Sequence, residues 1–116
     1  MTSIYAVMEN VSRQFIGYCH LGPCVEEDEG AFEFWCMIAP NHHRKGFGTE
    51  VIVGLISNGF DVLEAVSLYA KTKNPIAKKI NQRIGMEVVR EIGDEEVFVM
   101  TRDKYLETKD YLALLK

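Results

Sequence analysis

The chain has few cysteines and few prolines, three of each in 116 residues. The cysteines are odd in number and form no CxxC pair, which speaks against a disulfide framework and predicts reduced thiols. No cysteine or histidine pair has the ligand spacing of known zinc motifs, so we expect no metal site. The residues concerned are Cys19, Cys24, Cys36, His20, His42 and His43.

Long apolar runs and an excess of positive charge are also missing. No run approaches the about 20 residues that a helix needs to cross a bilayer, and no basic region precedes an apolar core as in a signal peptide. We therefore expect a cytoplasmic protein that does not bind membranes. The chain has 13 basic and 17 acidic residues. This balance argues against a general nucleic-acid binder, which needs a basic surface.

The length and composition suit one small globular domain. Of the 116 residues, 47% are hydrophobic and 26% are charged, enough to bury a core without metal or disulfides. No repeat, low-complexity tract or linker divides the chain. The sequence therefore predicts a single domain over 1–116.

Alternating apolar residues predict strands, and apolar residues at helical spacing predict helices. Strands are expected over 2–8, 13–21, 31–38 and 66–71, a polar tip over 22–30, a helix over 46–58 ending at Gly59, a helix over 75–84 capped by Asn74, a hairpin over 86–92 and 95–102, and an amphipathic helix over 103–116. The strand, helix, strand order after residue 31 predicts a right-handed parallel crossover.

Two of these elements carry specific burial predictions. The strand over 31–38 is apolar on both faces, which predicts a central strand buried on both sides. In the helix over 75–84, we expect the apolar stripe to be buried and the lysines Lys78 and Lys79 to face water. The stripe consists of Ile76, Ala77, Ile80 and Ile84.

The segment 38–49 combines an apolar strand end with a Gly-x-Gly turn that opens a helix. Backbone NH groups at a helix start point outward together, and the helix dipole adds about half a positive charge there. Gly46 and Gly48 would let a phosphate approach the main chain, with Arg44 and Lys45 as mobile cations beside it. A glycine pair can also be a simple turn, so this motif alone leaves both interpretations open.

The motifs that follow help to decide between an anion site and a simple turn. In order and spacing, the turn Arg44-Lys45-Gly46-Phe47-Gly48, the strand 68–70, the Asn-x-x-Ala start at 74–77 and the terminal Gly85-Met86 resemble the acyl-CoA-binding half of GNAT-type N-acetyltransferases. The resemblance covers about residues 31–100. It implies an α/β (α+β) fold: a mixed, mostly antiparallel sheet with one parallel strand pair and packed helices. It also implies direct acetyl transfer from acetyl-CoA to a primary amine of a small molecule or protein.

The resemblance further implies a cofactor site. The pantetheine arm would pair with backbone groups at Cys36, Met37 and Ile38, and the Asn74 amide would contact it. The pyrophosphate would lie on the backbone NH groups of a loop and helix start. These residues are His43, Arg44, Lys45, Gly46, Phe47, Gly48 and Thr49.

Catalysis of amine acylation needs a base for the amine and a proton for the departing thiolate. Glu33 is the candidate base, since a carboxylate on a central strand can face the cleft; it could equally be an exposed strand residue. Tyr69 is the candidate acid, with Cys36 as an alternative. His20 fits a surface position better than a base. The acidic run 26–29 is either a solvated loop or an attractant for a cationic amine.

Three differences from the family pattern leave a second hypothesis open. His43 stands where the family usually has Arg or Gln, and Asn81 stands where it often has the tyrosine that protonates the thiolate. The chain also has about thirty residues before the central strand, where members have a further strand and two helices. The alternative is a catalytically reduced CoA-binding or protein-interaction module. The C-terminal helix would cover the sheet or form a homodimer contact.

Overall fold

A computed structural model describes residues 3–8, 15–38 and 46–115. The described chain forms a mixed sheet of six strands in the order β1-β2-β3-β4-β6-β5, with three helices. Neighbouring strands are antiparallel except β3 and β4, which confirms the predicted fold class. The elements are β1 (Ser3–Met8), β2 (Phe15–Pro23), β3 (Ala31–Ile38), α1 (Phe47–Asp61), β4 (Ser67–Thr72), α2 (Pro75–Arg83), β5 (Glu87–Ile92), β6 (Glu95–Thr101) and α3 (Arg102–Leu114).

The three helices lie on one face of the sheet. Helix α1 connects the parallel neighbours β3 and β4, and α2 connects β4 to β5 across β6. Two right-handed crossovers that advance in the same direction place their helices on the same side. Helix α1 also contacts α3. We call the opposite side the helix-free face; in the described chain it carries Tyr18, His20, Glu33, Trp35, Met37 and Tyr69.

The core lies between the sheet and α1, around Phe34, Ile56 and Leu68. The predicted end of this helix at Gly59 is wrong, because α1 continues to Asp61. Gly59 is buried inside the helix, and a Cβ there would lie 3.0 Å from the side chain of Leu68. The glycine therefore allows close helix–sheet packing and does not end the helix.

Strand β3 is central, as predicted, since it lies between β2 and β4. The prediction that both of its faces are buried is wrong. Trp35 is 40% exposed and Met37 is 65% exposed, whereas Phe34 is 3% exposed. The reason is that helices cover only one side of the sheet, so apolar residues on the helix-free face remain accessible.

Helix α2 starts as predicted, with Asn74 as its cap and Pro75 in its first turn. Its buried stripe differs from the prediction, because Ile76 is 52% exposed and Asn81 is only 2% exposed. Lys78 is not left to water either, since its Nζ donates to the Asp94 carbonyl at 2.5 Å. The last turn of α2 packs on the core, whereas its first turn borders a cavity.

Helix α3 packs against the C-terminal end of α1 and against β6, on the side of the sheet that α1 and α2 also cover. Tyr105 stacks on Phe60 at 4.7 Å between ring centroids, and its hydroxyl donates to Asp61 Oδ2 at 2.7 Å. Arg102 donates to the backbone carbonyls of Phe60 and Ala65. Among the helices of the described ranges, none combines the length and the apolar character that crossing a membrane requires.

Candidate active site

The parallel strands β3 and β4 separate soon after they meet. They pair only where Ala31–Glu33 run beside Ser67–Tyr69. Strand β3 nevertheless continues to Ile38, and β4 continues to Thr72. We call the resulting opening, beyond Glu33 and Tyr69, the strand gap.

A cavity of about 290 Å³ lies on the helix-covered side, between the first turns of α1 and α2 and the outer half of β3. Its lining is mostly apolar, as is usual for small-molecule sites. Three elements distant in sequence therefore meet here, and six predicted cofactor-site residues are among those they contribute. The lining residues are Cys36, Ile38, Gly46, Gly48, Thr49, Ile52, Asn74, Ile76, Ala77 and Ile80.

The start of α1 has the features expected of an anion site. Gly46 precedes the helix with a φ of 81° and makes no side-chain cap. Apart from its chain neighbours, no described residue has an atom within 4 Å of the position a Cβ would take at Gly46. The helix ladder begins with the Glu50 NH donating to the Gly46 carbonyl at 3.1 Å, so the amides of Gly48 and Thr49 precede that bond. Glu50 is exposed beside these amides.

The remaining predicted cofactor residues are either not described or not part of the cavity lining. His43, Arg44 and Lys45 lie outside the described residues. Phe47 is described but does not line the cavity. The Met37 side chain belongs to the helix-free face, so only its backbone could contact a ligand in the cavity.

Asn74 has two functions at the cavity. Its Oδ1 accepts from the Ile76 NH at 2.8 Å, which is the predicted cap. Its own NH donates to Thr72 Oγ1 at 3.0 Å. Because the helix uses Oδ1, the side-chain NH₂ group is the donor that a ligand in the cavity could use.

Glu33 and Tyr69 are neighbours across the last paired rung of β3 and β4. Both belong to the helix-free face, beside the start of the strand gap. The Glu33 side chain is 35% exposed, and its Oε1 lies 3.9 Å from His20 Nε2. His20 is only 4% exposed and stacks on Trp35 at 5.6 Å. The expectation that His20 is a surface residue is therefore wrong, and the Trp35 ring is one of the groups packed against it.

Burial, with a smaller contribution from the Glu27 carboxylate, raises the pKa of Tyr69. A phenol with a raised pKa keeps its proton at neutral pH, which a proton donor requires.

The acidic run after β2 is mostly exposed, and two of its residues form ion pairs. Glu26 forms an ion pair with Lys71 at 2.7 Å, and Glu27 pairs with Arg90. These contacts hold the tip of the β2–β3 hairpin across β4 and β5. The run therefore borders the region around Tyr69 and brings negative charge close to it.

The apolar lining from the helices was not predicted as part of the site. The sequence pattern assigned Ile52, Ile76 and Ile80 to the core, because helical spacing does not separate core from cavity lining. One signal was present: Ile76 lies in the first turn of α2, two residues after the cap, where a side chain can reach a ligand at the helix start.

All three cysteines are free thiols, and Cys36 lies in the cavity lining. Burial raises the pKa of Cys36 to about 11. The thiolate fraction should therefore rise about tenfold for each pH unit between about pH 7 and pH 10. We expect alkylation of Cys36 by iodoacetamide, followed by peptide mass spectrometry, to show this slope. The Cys36→Ser variant identifies the peptide signal, and a rate that levels off near pH 9 would contradict the burial.

Comparison with known proteins gives an independent result. A model described as Acetyltransferase (GNAT) domain matches residues 2–87. No curated protein matches the sequence significantly.

Several solved structures share the fold. An acetyltransferase (GNAT family) from Bacillus anthracis is 15% identical, with a TM-score of 0.76 over 86% of this chain and 66% of that chain. A dodecameric spermidine N-acetyltransferase from Vibrio cholerae is 23% identical, with a TM-score of 0.77 over 90% of this chain and 67% of its own. A spermidine/spermine N-acetyltransferase SpeG from the same organism, in complex with manganese ions, is 22% identical, with a TM-score of 0.73 over 91% and 68%. The chain thus spans about two thirds of the length of these proteins.

Proposed function

The chain belongs to the GNAT acetyltransferase family, and from this we propose that it moves an acetyl group from acetyl-CoA to a primary amine by direct transfer. The observation that carries the proposal is the combination of an open helix start and an apolar cavity at the gap between two parallel strands. We further propose that residues 1–116 act as one domain.

The coenzyme would bind along the α1 side of the cavity. Its pyrophosphate would lie on the backbone NH groups at 46–49, with charge added by the loop residues 43–45. Its pantetheine arm would follow the outer half of β3 past Ile38, where Ile52 and Ile80 match its apolar character. The Asn74 NH₂ group would donate to one of its amide carbonyls.

The chemistry would take place at the strand gap. Glu33 accepts a proton from the amine, whose nitrogen attacks the thioester carbonyl carbon; the C–N bond forms and the C–S bond breaks. The thiolate then takes a proton from Tyr69 or Cys36. The shared rung of Glu33 and Tyr69 supports this assignment, because both side chains border the gap.

The acceptor would approach from the helix-free face. Glu33 and the acidic hairpin tip favour a cationic amine there, and exposed Trp35 could contact its carbon chain. The Vibrio cholerae proteins of similar fold are spermidine acetyltransferases. A polyamine is therefore the first acceptor to test, followed by lysine-containing peptides.

A second function is favoured by Asn81, which is buried and cannot give a proton to a thiolate at neutral pH. In this alternative the chain binds coenzyme A, or contacts another protein, without transferring the acetyl group.

Calorimetric titration with acetyl-CoA tests the proposed function, and dephosphorylated pantetheine is the control that lacks the pyrophosphate. We expect micromolar binding of acetyl-CoA and at least about tenfold weaker binding of pantetheine, because the charged helix-start contacts are lost. Mass spectrometry of reactions with a polyamine and with lysine-containing peptides then detects acetyl transfer, which separates the two functions. Binding of acetyl-CoA without acetyl transfer supports the CoA-binding module, and no binding at millimolar acetyl-CoA would refute the coenzyme site.

A further inference from the structure

His20 is a buried polar side chain on the face of the sheet that the helices do not cover. It is 4% exposed, whereas Tyr18, two residues earlier on the same face of β2, is 49% exposed. Burying an imidazole costs free energy unless its polar atoms keep favourable contacts. The groups around this ring therefore indicate its role.

Two side chains of β3 contact the ring. Trp35 lies opposite His20 in the strand register and stacks on it, with an angle of 25° between the ring planes. The stack restricts the imidazole, whose Nε2 then lies 3.9 Å from Glu33 Oε1. In the protonated ring and in one of the two neutral tautomers, Nε2 carries a hydrogen that attracts a carboxylate.

Glu33 has few other groups that could fix its side chain. Among the described residues, His20 is the only basic side chain within 4.0 Å of its carboxylate. Lys71 also interacts electrostatically with Glu33, but its Nζ is engaged by Glu26 at 2.7 Å. A side chain that is 35% exposed has several rotamers open to it. In the described chain, His20 is therefore the group that can select one of them.

The strand register decides where His20 draws the carboxylate. His20 lies opposite Trp35, two residues beyond Glu33 on β3. Pairing of β3 with β4 ends at Glu33 and Tyr69, so Trp35 is already level with the strand gap. The contact with Nε2 thus draws the carboxylate along β3 to the level at which the gap opens.

Building on the proposed function, we propose that His20 is a positioning residue that holds the Glu33 carboxylate level with the strand gap, where it accepts the proton of the amine. His20 itself takes no proton from the amine, because its ring is buried. A distance of 3.9 Å exceeds a hydrogen bond, and contacts of this kind are often long before substrate binds and shorten in the complex.

Two variants of His20 test this role in the full chain. His20→Leu should reduce turnover of a polyamine by about tenfold, the size of one polar contact to a charged group. Its affinity for acetyl-CoA, measured by calorimetry, should change less than about twofold, because His20 does not line the cavity. His20→Gln keeps an N–H donor near the position of Nε2 and should retain about half of the wild-type turnover or more. Equal losses in the two variants would overturn the proposal.

Tyr105→Phe is the matched control for lost stability. Tyr105 is buried, and its hydroxyl donates to Asp61 on the helix-covered side, so this variant also loses a polar contact to a carboxylate. We expect its melting temperature to fall and its turnover to match wild type. A tenfold loss of turnover here would mean that lost stability alone explains His20→Leu, which would overturn the role of His20.

A double variant separates positioning from a structural role. Because His20 acts through Glu33, His20→Leu should reduce turnover by less than about twofold when Glu33→Gln is already present. A further loss of about tenfold in that background would show an effect independent of Glu33 and would overturn the proposal.

Proton NMR tests the contact without coenzyme or acceptor. The chain has three histidines, and His20→Gln identifies the Hε1 signal of His20. Glu33→Gln should shift this signal at constant pH, because a facing charge is removed. Glu91→Gln, at an exposed position of β5, should leave it in place. An unshifted signal in Glu33→Gln would overturn the contact.

The outcomes separate this inference from the proposed function. Wild-type turnover in His20→Leu, together with reduced turnover in Glu33→Gln, would overturn the role of His20 alone. A wild-type chain that transfers no acetyl group, or full turnover in Glu33→Gln, would overturn the proposed base and the role of His20 with it.

Discussion

Gly46→Glu is expected to abolish acetyl-CoA binding. Gly46 lines the cavity with open space at its Cβ position, so the new carboxylate would occupy the proposed pyrophosphate site. Two like charges about 4 Å apart near a protein surface repel by about 4 kcal/mol, which weakens binding by about a thousandfold. The φ of 81° adds backbone strain for any residue with a Cβ. Calorimetric titration with acetyl-CoA measures the effect.

Gly93→Glu is the matched control for this substitution. Gly93 lies in the β5–β6 turn and has a φ of 65°, and beyond its chain neighbours no described residue comes within 4 Å of its Cβ position. Both variants therefore gain one carboxylate at a strained, open glycine, but only one does so at the cavity. Comparable melting temperatures and wild-type affinity in the control are expected. Equal affinity in the two variants would refute the pyrophosphate placement.

Glu33→Gln is expected to reduce turnover by about a hundredfold while leaving acetyl-CoA affinity nearly unchanged. The amide keeps the size of the side chain and can still contact His20, but it cannot accept the proton of the attacking amine. Because Glu33 belongs to the helix-free face, its substitution should not alter the cavity. Steady-state kinetics with a polyamine acceptor and calorimetry with acetyl-CoA measure the two quantities separately.

Glu91→Gln controls for the loss of one negative charge, since Glu91 is an exposed residue of the edge strand β5. We expect its turnover to match wild type. Wild-type turnover in Glu33→Gln would show that Glu33 is not the base, and an ordered water would then be the candidate base. A parallel loss of coenzyme affinity would instead mean that Glu33 supports the fold of the strand gap.

The fold was largely predictable because its signals are local. Alternation in 31–38, the glycine turn before α1 and the Asn74–Pro75 start of α2 each depend on a few adjacent residues. Helix ends were less predictable: Gly59 lies inside α1, where it packs closely on Leu68, a residue distant in sequence. Cofactor-site residues such as Gly46 and Asn74 were found through motifs, whereas Ile52 and Ile80 were not, since a core stripe and a cavity lining have the same spacing.

By itself, the sequence determined the order of strands and helices, the parallel crossover and the open helix start, because hydrophobic period, glycine and proline act over short distances. Only the tertiary structure decided which apolar residues are covered. It placed three helices on one side of the sheet, exposed Trp35 and Met37, and buried His20 and Asn81. It also ended the pairing of β3 and β4 at Glu33 and Tyr69, which leaves the strand gap beside them. These features depend on packing between distant segments, which a local pattern does not encode.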